Sequence, residues 1–426
     1  MPERDIPMLS LDSLIQGERP ICYGVLKPGS EDEHGVPLVR IVDMDTSGLR
    51  PEGLFRITPA LDKEFARSRI ESGDLLLSIQ GTVGRVAIAP PELAGANISR
   101  TIARLSFAAA GDGRFYKHWF LSGEGLRAID GAIVGTTRSS LNIGVLRKVA
   151  VPSPTGPEKS TIADILDTVD TTIRQTEAII EKLKQVKQGL LHDLLTRGID
   201  ANGELRPPQS QAPHLYKDSP LGWIPQEWEA SALLNKIDLP TGQIDPRLPP
   251  YCDWVLIAPD HIESATGRLL AAVSARDQAA ISGKYLCAPG DVIYSKIRPY
   301  LRKATLASEH SLCSADMYPF TPHDDVNSQF LLALLLGEAF SRFAESVSMR
   351  TGMPKINREE LAECVVAWPS RCEQDRIVAA LNGAESRLQA EIYEGEKLME
   401  LKSGLMDDLL TGRVRVTPLL DIAART

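Results

Sequence analysis

The stretch KQGLLHDLLT at residues 187–196 returns as KSGLMDDLLT at residues 402–411, with seven of the ten positions identical. The offset of 215 continues upstream without gaps, pairing Glu158 with Glu373, Ile162 with Ile377, Leu166 with Leu381 and Leu183 with Leu398. It also pairs Asn142 with Asn357, Val151 with Val366 and Pro154 with Pro369. Farther upstream the match weakens and shifts by two residues, aligning Gly73-Asp74 with Gly290-Asp291 and Ser78 with Ser295. A fixed internal period marks a duplicated architecture. Each copy reads as a divergent globular part followed by a similar helical part, so a shared scaffold carries two parts that are free to differ.

Residues 158–196 predict one long helix, roughly 58 Å at about 1.5 Å per residue. Its apolar track is Ile162, Leu166, Val169, Ile173, Ile180, Leu183, Leu190 and Leu194, interrupted by Thr176 and Lys187. A stripe of that length needs a partner to cover it. The obvious one is the second copy, residues 373–410, with Ile377, Leu381, Ala384, Leu388, Leu398, Leu405 and Leu409 on the equivalent track. Glu391 and Gly395 fall on that track, so a bend or a weak contact is expected there. The alternative is that each helix packs only on its own globular part.

The globular parts predict mixed α and β structure, an α+β class. Residues 36–42 (VPLVRIV), 74–79 (DLLLSI), 84–89 (GRVAIA) and 291–297 (DVIYSKI) read as short strands, and 330–347 as one amphipathic helix. Residues 115–121 read as a helix, and 412–426 show no clear pattern. The expected boundaries are a first globular part at 1–153, a helix at 154–198, a Pro- and Gln-rich linker at 199–222, a second globular part at 223–369, a helix at 370–416 and a tail at 417–426.

The 426 residues, 43% hydrophobic and 24% charged, fall in the range of globular chains. No apolar run reaches the roughly 18 residues of a membrane span, and the N-terminus MPERDIPMLS has no signal-peptide core, so a cytoplasmic location is expected. The net charge of −9 argues against a chain coated in basic residues, so any polyanion-binding surface must be local. The cysteines, Cys22, Cys252, Cys287, Cys313, Cys364 and Cys372, form no CxxC pair, and no metal site is expected.

Catalytic signatures are missing too. Pro249-Pro250-Tyr251 resembles part of the tetrad of amino-methyltransferases, but the preceding Leu248 cannot hydrogen-bond a target amine, and a turn is expected instead. There is no phosphate-binding GxxxxGK[ST] loop, no nucleophile elbow and no histidine-centred triad, and His118 and His192 read as structural or exposed. What remains is clustering of basic and polar residues. SKIRPYLRK at 295–303 holds four basic residues, a tyrosine and no acid, and 346–357 adds Arg350 and Lys355. The first copy offers Gln80, Thr82 and Arg85 after one strand, and Arg138, Ser139 and Ser140 before Asn142. Such side chains suit phosphates and base edges.

With these features in place, the chain resembles the DNA-specificity subunits of type I restriction–modification systems. The likeness is carried by LKQVKQGLLHDLLTRGI (183–199), LMELKSGLMDDLLTGRVRV (398–416), PEKSTIADILDTVD (157–170), CEQDRIVAALN (372–382) and LGWIPQEW (221–228). The resemblance implies two target-recognition domains, each reading half of a bipartite double-stranded DNA site, and two helices packed as an antiparallel coiled-coil spacer with an internal pseudo-twofold repeat. It also implies two modification (methyltransferase) subunits docked on that scaffold, joined by restriction (endonuclease/translocase) subunits. The chain itself would be non-catalytic and bind no cofactor, with S-adenosylmethionine, ATP and Mg on its partners. The DNA-contacting residues would be Gln80, Thr82, Arg85, Arg138, Ser139 and Ser140 in the first copy. In the second they would be Lys296, Arg298, Tyr300, Arg302, Lys303, Arg350 and Lys355. The scaffold would rest on Leu166, Ile173, Ile180, Leu183, Leu190, Leu194, Leu381, Leu388, Leu398, Leu405 and Leu409. One departure is that TRG in the first copy becomes TGR in the second, so Arg413 has no strict counterpart. The rival readings are the specificity component of a nuclease-free methylation system and a coiled-coil assembly scaffold that does not touch DNA.

Overall fold

The computed structural model describes residues 6–45, 48–134, 140–348 and 354–423. The chain divides into two compact units, Met1–Ala178 with Ile392–Thr426, and Ile179–Glu391. The long helices Gly156–Thr196 and Arg371–Leu410 are continuous. Each unit therefore combines one globular part with the beginning of one long helix and the end of the other.

In the first unit a four-stranded antiparallel sheet runs in the order Cys22–Tyr23, Ile102–Leu105, Leu75–Ser78, Val86–Ile88. The two central strands are buried throughout; they are apolar except for Ser78 and Arg104, and the Arg104 guanidinium donates to the carbonyls of Pro20, Arg67 and Arg69. A second sheet orders Phe55–Ile57, Val36–Val39 and Asn97–Ile98, the last two parallel. The helix Asp112–Leu121 closes the core through Phe115, Trp119 and Phe120, and the helix Gly123–Ala132 through Ile129 and Ala132. That core takes in Ile162 and Leu166 from the start of the first long helix, and Met406, Leu409 and Leu410 from the end of the second.

The second unit repeats the plan. Its four-stranded sheet orders Ile237–Asp238, Met317–Pro322, Val292–Ser295 and Ala304–Leu306. Its core joins Leu194 from the first long helix with Ile377 and Val378 from the second. In both units the strand that opens the globular part pairs antiparallel with the strand that leads into a long helix: Met8–Ser10 with Ala150–Pro152, and Glu229–Ala232 with Val365–Trp368. Both central strands are launched by the same turn. Gly73 and Gly290 take φ of 90° and 96°, and the Asp74 and Asp291 carboxylates accept the N–H of Glu71 and Ala288 at 2.7 and 2.8 Å. The small sheets diverge. Both keep a parallel pair, but the third strand joins Val36–Val39 in the first unit and Ser311–Cys313, the later strand of its pair, in the second.

The two long helices pair within each unit. In the first, Lys402 Nζ reaches Asp170 at 2.6 Å; in the second, Lys187 pairs with Glu385. The starts of the helices are held by arginines that follow the helix ends. Arg415 donates to buried Glu158 at 2.7 and 2.9 Å, and Arg206 pairs with buried Glu373. Opposed residues thus run in opposite chain directions in both units, which is an antiparallel arrangement. It overturns the alternative that each helix packs only on its own globular part. Lys187, an interruption of the apolar track, is the cation of one of these pairs, and a polar pair in a seam fixes register. The track residues Ile173, Ile180, Leu183, Leu190, Leu398 and Leu405 are only partly buried, whereas Leu166, Leu194, Leu388 and Leu409 are buried.

Both helices end in a left-handed glycine, Gly198 at φ 65° and Gly412 at φ 74°. A Cβ at Gly198 would lie 2.2 Å from Glu373 Oε1, and one at Gly412 would lie 2.5 Å from Ile6 Cδ1. The TRG and TGR variants therefore both supply a helix stop, one residue apart.

Several sequence expectations are corrected. Residues 330–347 form not one helix but two, Ser328–Leu336 and Glu338–Ser348, because Gly337 turns extended where a Cβ would meet Leu195 Cδ1 at 2.8 Å. The 36–42 strand stops at Val39, after which the Asp43 carboxylate captures the Arg40 N–H and starts a 3-10 turn, Ile41–Asp43. The helix stays unbroken through Glu391 and Gly395. The patternless tail holds a helix, Thr417–Ala423, with Pro418 in its first turn, where a missing N–H costs nothing. Within the 199–222 linker, Tyr216–Lys217 pairs with Ile224–Pro225.

Two predictions follow from the ion pairs. Arg206→Ala strands the Glu373 carboxylate and is expected to cost about 3–5 kcal/mol, whereas Arg206→Met with Glu373→Met recovers most of it. Denaturation followed by tryptophan fluorescence reads this, since four of the five tryptophans lie in 179–391. The second concerns acid. Burial pushes the carboxyls of Glu158, Asp167 and Asp170 up, but their bonds to Arg415, His118 and Lys402 outweigh it and hold all three below the usual range. Groups with depressed folded values stabilise above their ordinary value and cease to as pH falls below it. Stability of the first unit, reported by Trp119, is expected to drop below about pH 4, and Asp167→Asn to lower it at neutral pH while flattening that drop.

Candidate nucleic-acid interface

In each unit the central strand ends on a serine that organises the following loop. Ser78 Oγ donates to Thr82 O at 2.6 Å and accepts from Arg85 N at 2.7 Å; Ser295 Oγ donates to Ile297 O at 3.0 Å. That loop then meets a segment distant in sequence. Gln80 bridges to Ser140, and Ile297 bridges to Lys355. Just beyond, Asn142 and Asn357 cap short helices by accepting the N–H of Gly144 at 2.7 Å and of Glu360 at 2.9 Å. The fold thus joins the two polar clusters of each copy, at corresponding places. Arg138, Ser139 and Arg350 lie outside the described residues.

The side chains differ in availability. Gln80, Thr82, Arg298, Tyr300 and Lys355 are exposed. Arg85 is exposed but spends its guanidinium on the carbonyls of Ile41 and Met44, at 3.2 and 2.6 Å. Arg302 donates to Leu336 O, and Lys303 Nζ to Pro259 O at 2.7 Å, so both are held by their own unit. Arg298 and Arg302 bracket a 3-10 turn with φ of 47° and 49°. Non-glycine residues in that region are strained, and such strain is characteristic of ligand clamps. Lys296 is buried.

Sequence reasoning missed Arg358, whose guanidinium lies over the Tyr318 ring at 5.6 Å from its centroid. It belongs to an acid-rich stretch, and only the fold sets it beside Lys296. A charge knot in the first unit was also missed. His118 Nε2 meets Asp167 Oδ1 at 2.8 Å, beside Asp170, a grouping with the geometry of metal ligands. Arg114, Lys117 and Lys402 already neutralise Asp164, Asp167 and Asp170, leaving no net negative charge for a cation to balance. Burial pulls the His118 imidazole below its ordinary value despite Asp167. The stripe of aspartates at spacings of three was the available signal. The Pro-Pro-Tyr segment leads into a 3-10 turn, Tyr251–Asp253. No helix among the described residues is long and apolar enough to cross a membrane.

Apolar surface also remains open. A groove of about 610 Å³ in the second unit lies between Leu191 and Leu195 of the long helix and Trp223, Phe340 and Val365. Ile179 and Val186 on the first long helix, and Tyr393, Met399 and Leu401 on the second, are exposed.

Residues 34–185 match the Type I restriction modification DNA specificity domain. The chain is 30% identical to the EcoDI type I restriction enzyme specificity subunit of Escherichia coli, over 62% of its own length and 61% of that protein's. It is 26% identical to the EcoBI specificity subunit of the same species, spanning 39% of that subunit's length, and 22% identical to the MjaVIII specificity subunit of Methanocaldococcus jannaschii over 67% of each chain. Its fold is shared with a chain solved in a study of complex assembly and conformational transition of the type I R-M system, at TM-score 0.58 and 16% identity, covering 96% of this chain and 100% of that one. It is shared too with the type I restriction–modification S subunit from M. genitalium, at TM-score 0.53 and 13% identity over 96% and 98%. The domain match, the specificity-subunit relatives and the shared fold show that the chain is similar to type I restriction–modification DNA-specificity subunits, and it spans about three fifths of the length of the EcoDI subunit it matches.

Proposed function

We propose that the chain is the sequence-recognition subunit of a type I restriction–modification complex. Each globular part reads one half of a bipartite double-stranded DNA site, and the long helices set the gap between the halves. The observation that carries this reading is the duplicated meeting of loops, Gln80 with Ser140 and Ile297 with Lys355, on a common scaffold but with different side chains. A common frame positions, and unlike side chains give unlike base preferences. Phosphate contact is a local affair in a chain of net charge −9, so partners contribute much of the non-specific affinity.

The chain is non-catalytic in this reading. Modification subunits bring S-adenosylmethionine, and restriction subunits bring ATP and Mg; without a restriction subunit the same chain directs methylation alone. The modification subunits dock on the exposed apolar residues of the helices. A pure assembly scaffold would have no use for strained, exposed arginine such as Arg298.

Base-resolution methylation mapping of cells with and without the gene, its modification subunit present, tests the proposal. A split motif that vanishes with the gene supports it; an unchanged methylome counts against it. Arg298→Gly keeps the left-handed backbone while deleting the side chain, so it is expected to weaken DNA binding about tenfold without loss of stability. Equal affinity would remove Arg298 from the interface. Met399→Asp with Leu401→Asp is expected to reduce recovery of the modification subunit in co-purification, with the circular dichroism of the chain unaltered.

A further inference from the structure

Lys296 sits in a setting that its own unit does not neutralise. It is only 7% exposed, yet its amine has no hydrogen-bond acceptor and no ion-pair partner among the described residues. Its contacts are aromatic faces: Nζ lies 4.6 Å from the Tyr318 ring centroid and 5.9 Å from that of Tyr285. Two further cations share the spot. Lys355 is delivered by the bridge to Ile297, and Arg358 lies over the Tyr318 ring, 5.6 Å from its centroid. Neither has a carboxylate partner among the described residues; Arg358 donates to Pro240 O and also bonds the Tyr318 side chain. Asp316 is the acid that acts on Lys296, and it forms no ion pair with it. Burial and the neighbouring positive charge of Lys355 pull the Lys296 amine below its ordinary value. The Lys296 amine is not fully enclosed, so it keeps a route to solvent, and three cations gathered around one opening attract an anion.

The duplication supplies an internal control. By strand register, Ile79 stands where the second unit has Lys296, Ala103 where it has Tyr318, Ser140 where it has Lys355, and Ile143 where it has Arg358. The common fold therefore forms in the first unit without these cations and ring.

We propose that Lys296, Lys355 and Arg358, set around Tyr318, form a seat for one phosphate of the DNA backbone, a contact made by the second recognition part alone. The inference rests on the DNA-recognition reading above and deepens it. Lys296 is the fixed charge, oriented by the rings through cation–π attraction, and the two exposed cations close on the phosphate from the rim. Because a phosphate carries no base identity, the seat positions the duplex and does not choose its sequence.

The test uses the full-length chain assembled with its modification subunit, titrated with a duplex carrying the mapped site and with a scrambled duplex over a salt series. Lys355→Gln and Arg358→Gln are exposed and leave the core intact; Lys296→Met, which keeps the buried stem, is the third variant. Each is expected to weaken binding to both duplexes by a similar factor, about tenfold, and to make the slope of log affinity against log salt shallower by about 0.9, with the methylated motif unchanged. Unchanged affinity and slope in all three, with wild-type binding intact, overturns the seat while leaving the recognition reading standing. A motif relaxed in one half-site makes these residues base readers and overturns the phosphate assignment. Failure of the wild-type assembly to prefer the site duplex sinks both readings.

Discussion

The structure depends on two buried carboxylates, Glu158 and Glu373, one at the start of each long helix. A carboxylate in a core is costly unless a cation and further donors reach it. Here the cation comes from chain that follows the end of the other long helix, Arg415 for Glu158 and Arg206 for Glu373. That pairing makes the segments beyond the helices structural, leaves no room for a Cβ at Gly198, and keeps the two helices antiparallel within each unit. Lys402 with Asp170 and Lys187 with Glu385 repeat the constraint one level deeper.

On that frame the globular parts diverge without losing their core. The four-stranded sheet, the Gly-Asp turn, the serine at the end of the central strand and the asparagine cap recur in both. The third strand of the small sheet moves, and the loops change composition. In the first unit the loop region is polar and largely neutral; in the second it is strained and basic, and two of its cations, Arg302 and Lys303, serve the unit's own carbonyls. A cluster of charge in sequence is therefore not a cluster of available charge. The proposed phosphate seat takes one residue from the basic run and two from 59 and 62 positions later.

The repeat, the two long helices and the mixed α+β class were legible in the sequence because they rest on local periodicity and internal identity. The basic loops were legible as composition. Arg358 was not, since it is surrounded in sequence by acids, and the Glu158–Arg415 pair was only half visible, as a glutamate repeated at offset 215. The split of 330–347 into two helices was hidden for a similar reason. Hydropathy there is helical throughout, and it is the approach of Leu195, from another element, that leaves no room beyond a glycine.

Period, patterning and motif are properties of residues near one another along the chain, and they suffice to identify a duplicated, helix-linked protein without the signatures of catalysis. Which charges are spent and which are open is set by contacts made on folding. Whether an arginine meets a carbonyl, a carboxylate or solvent depends on residues brought from tens to hundreds of positions away, and no local pattern encodes that encounter.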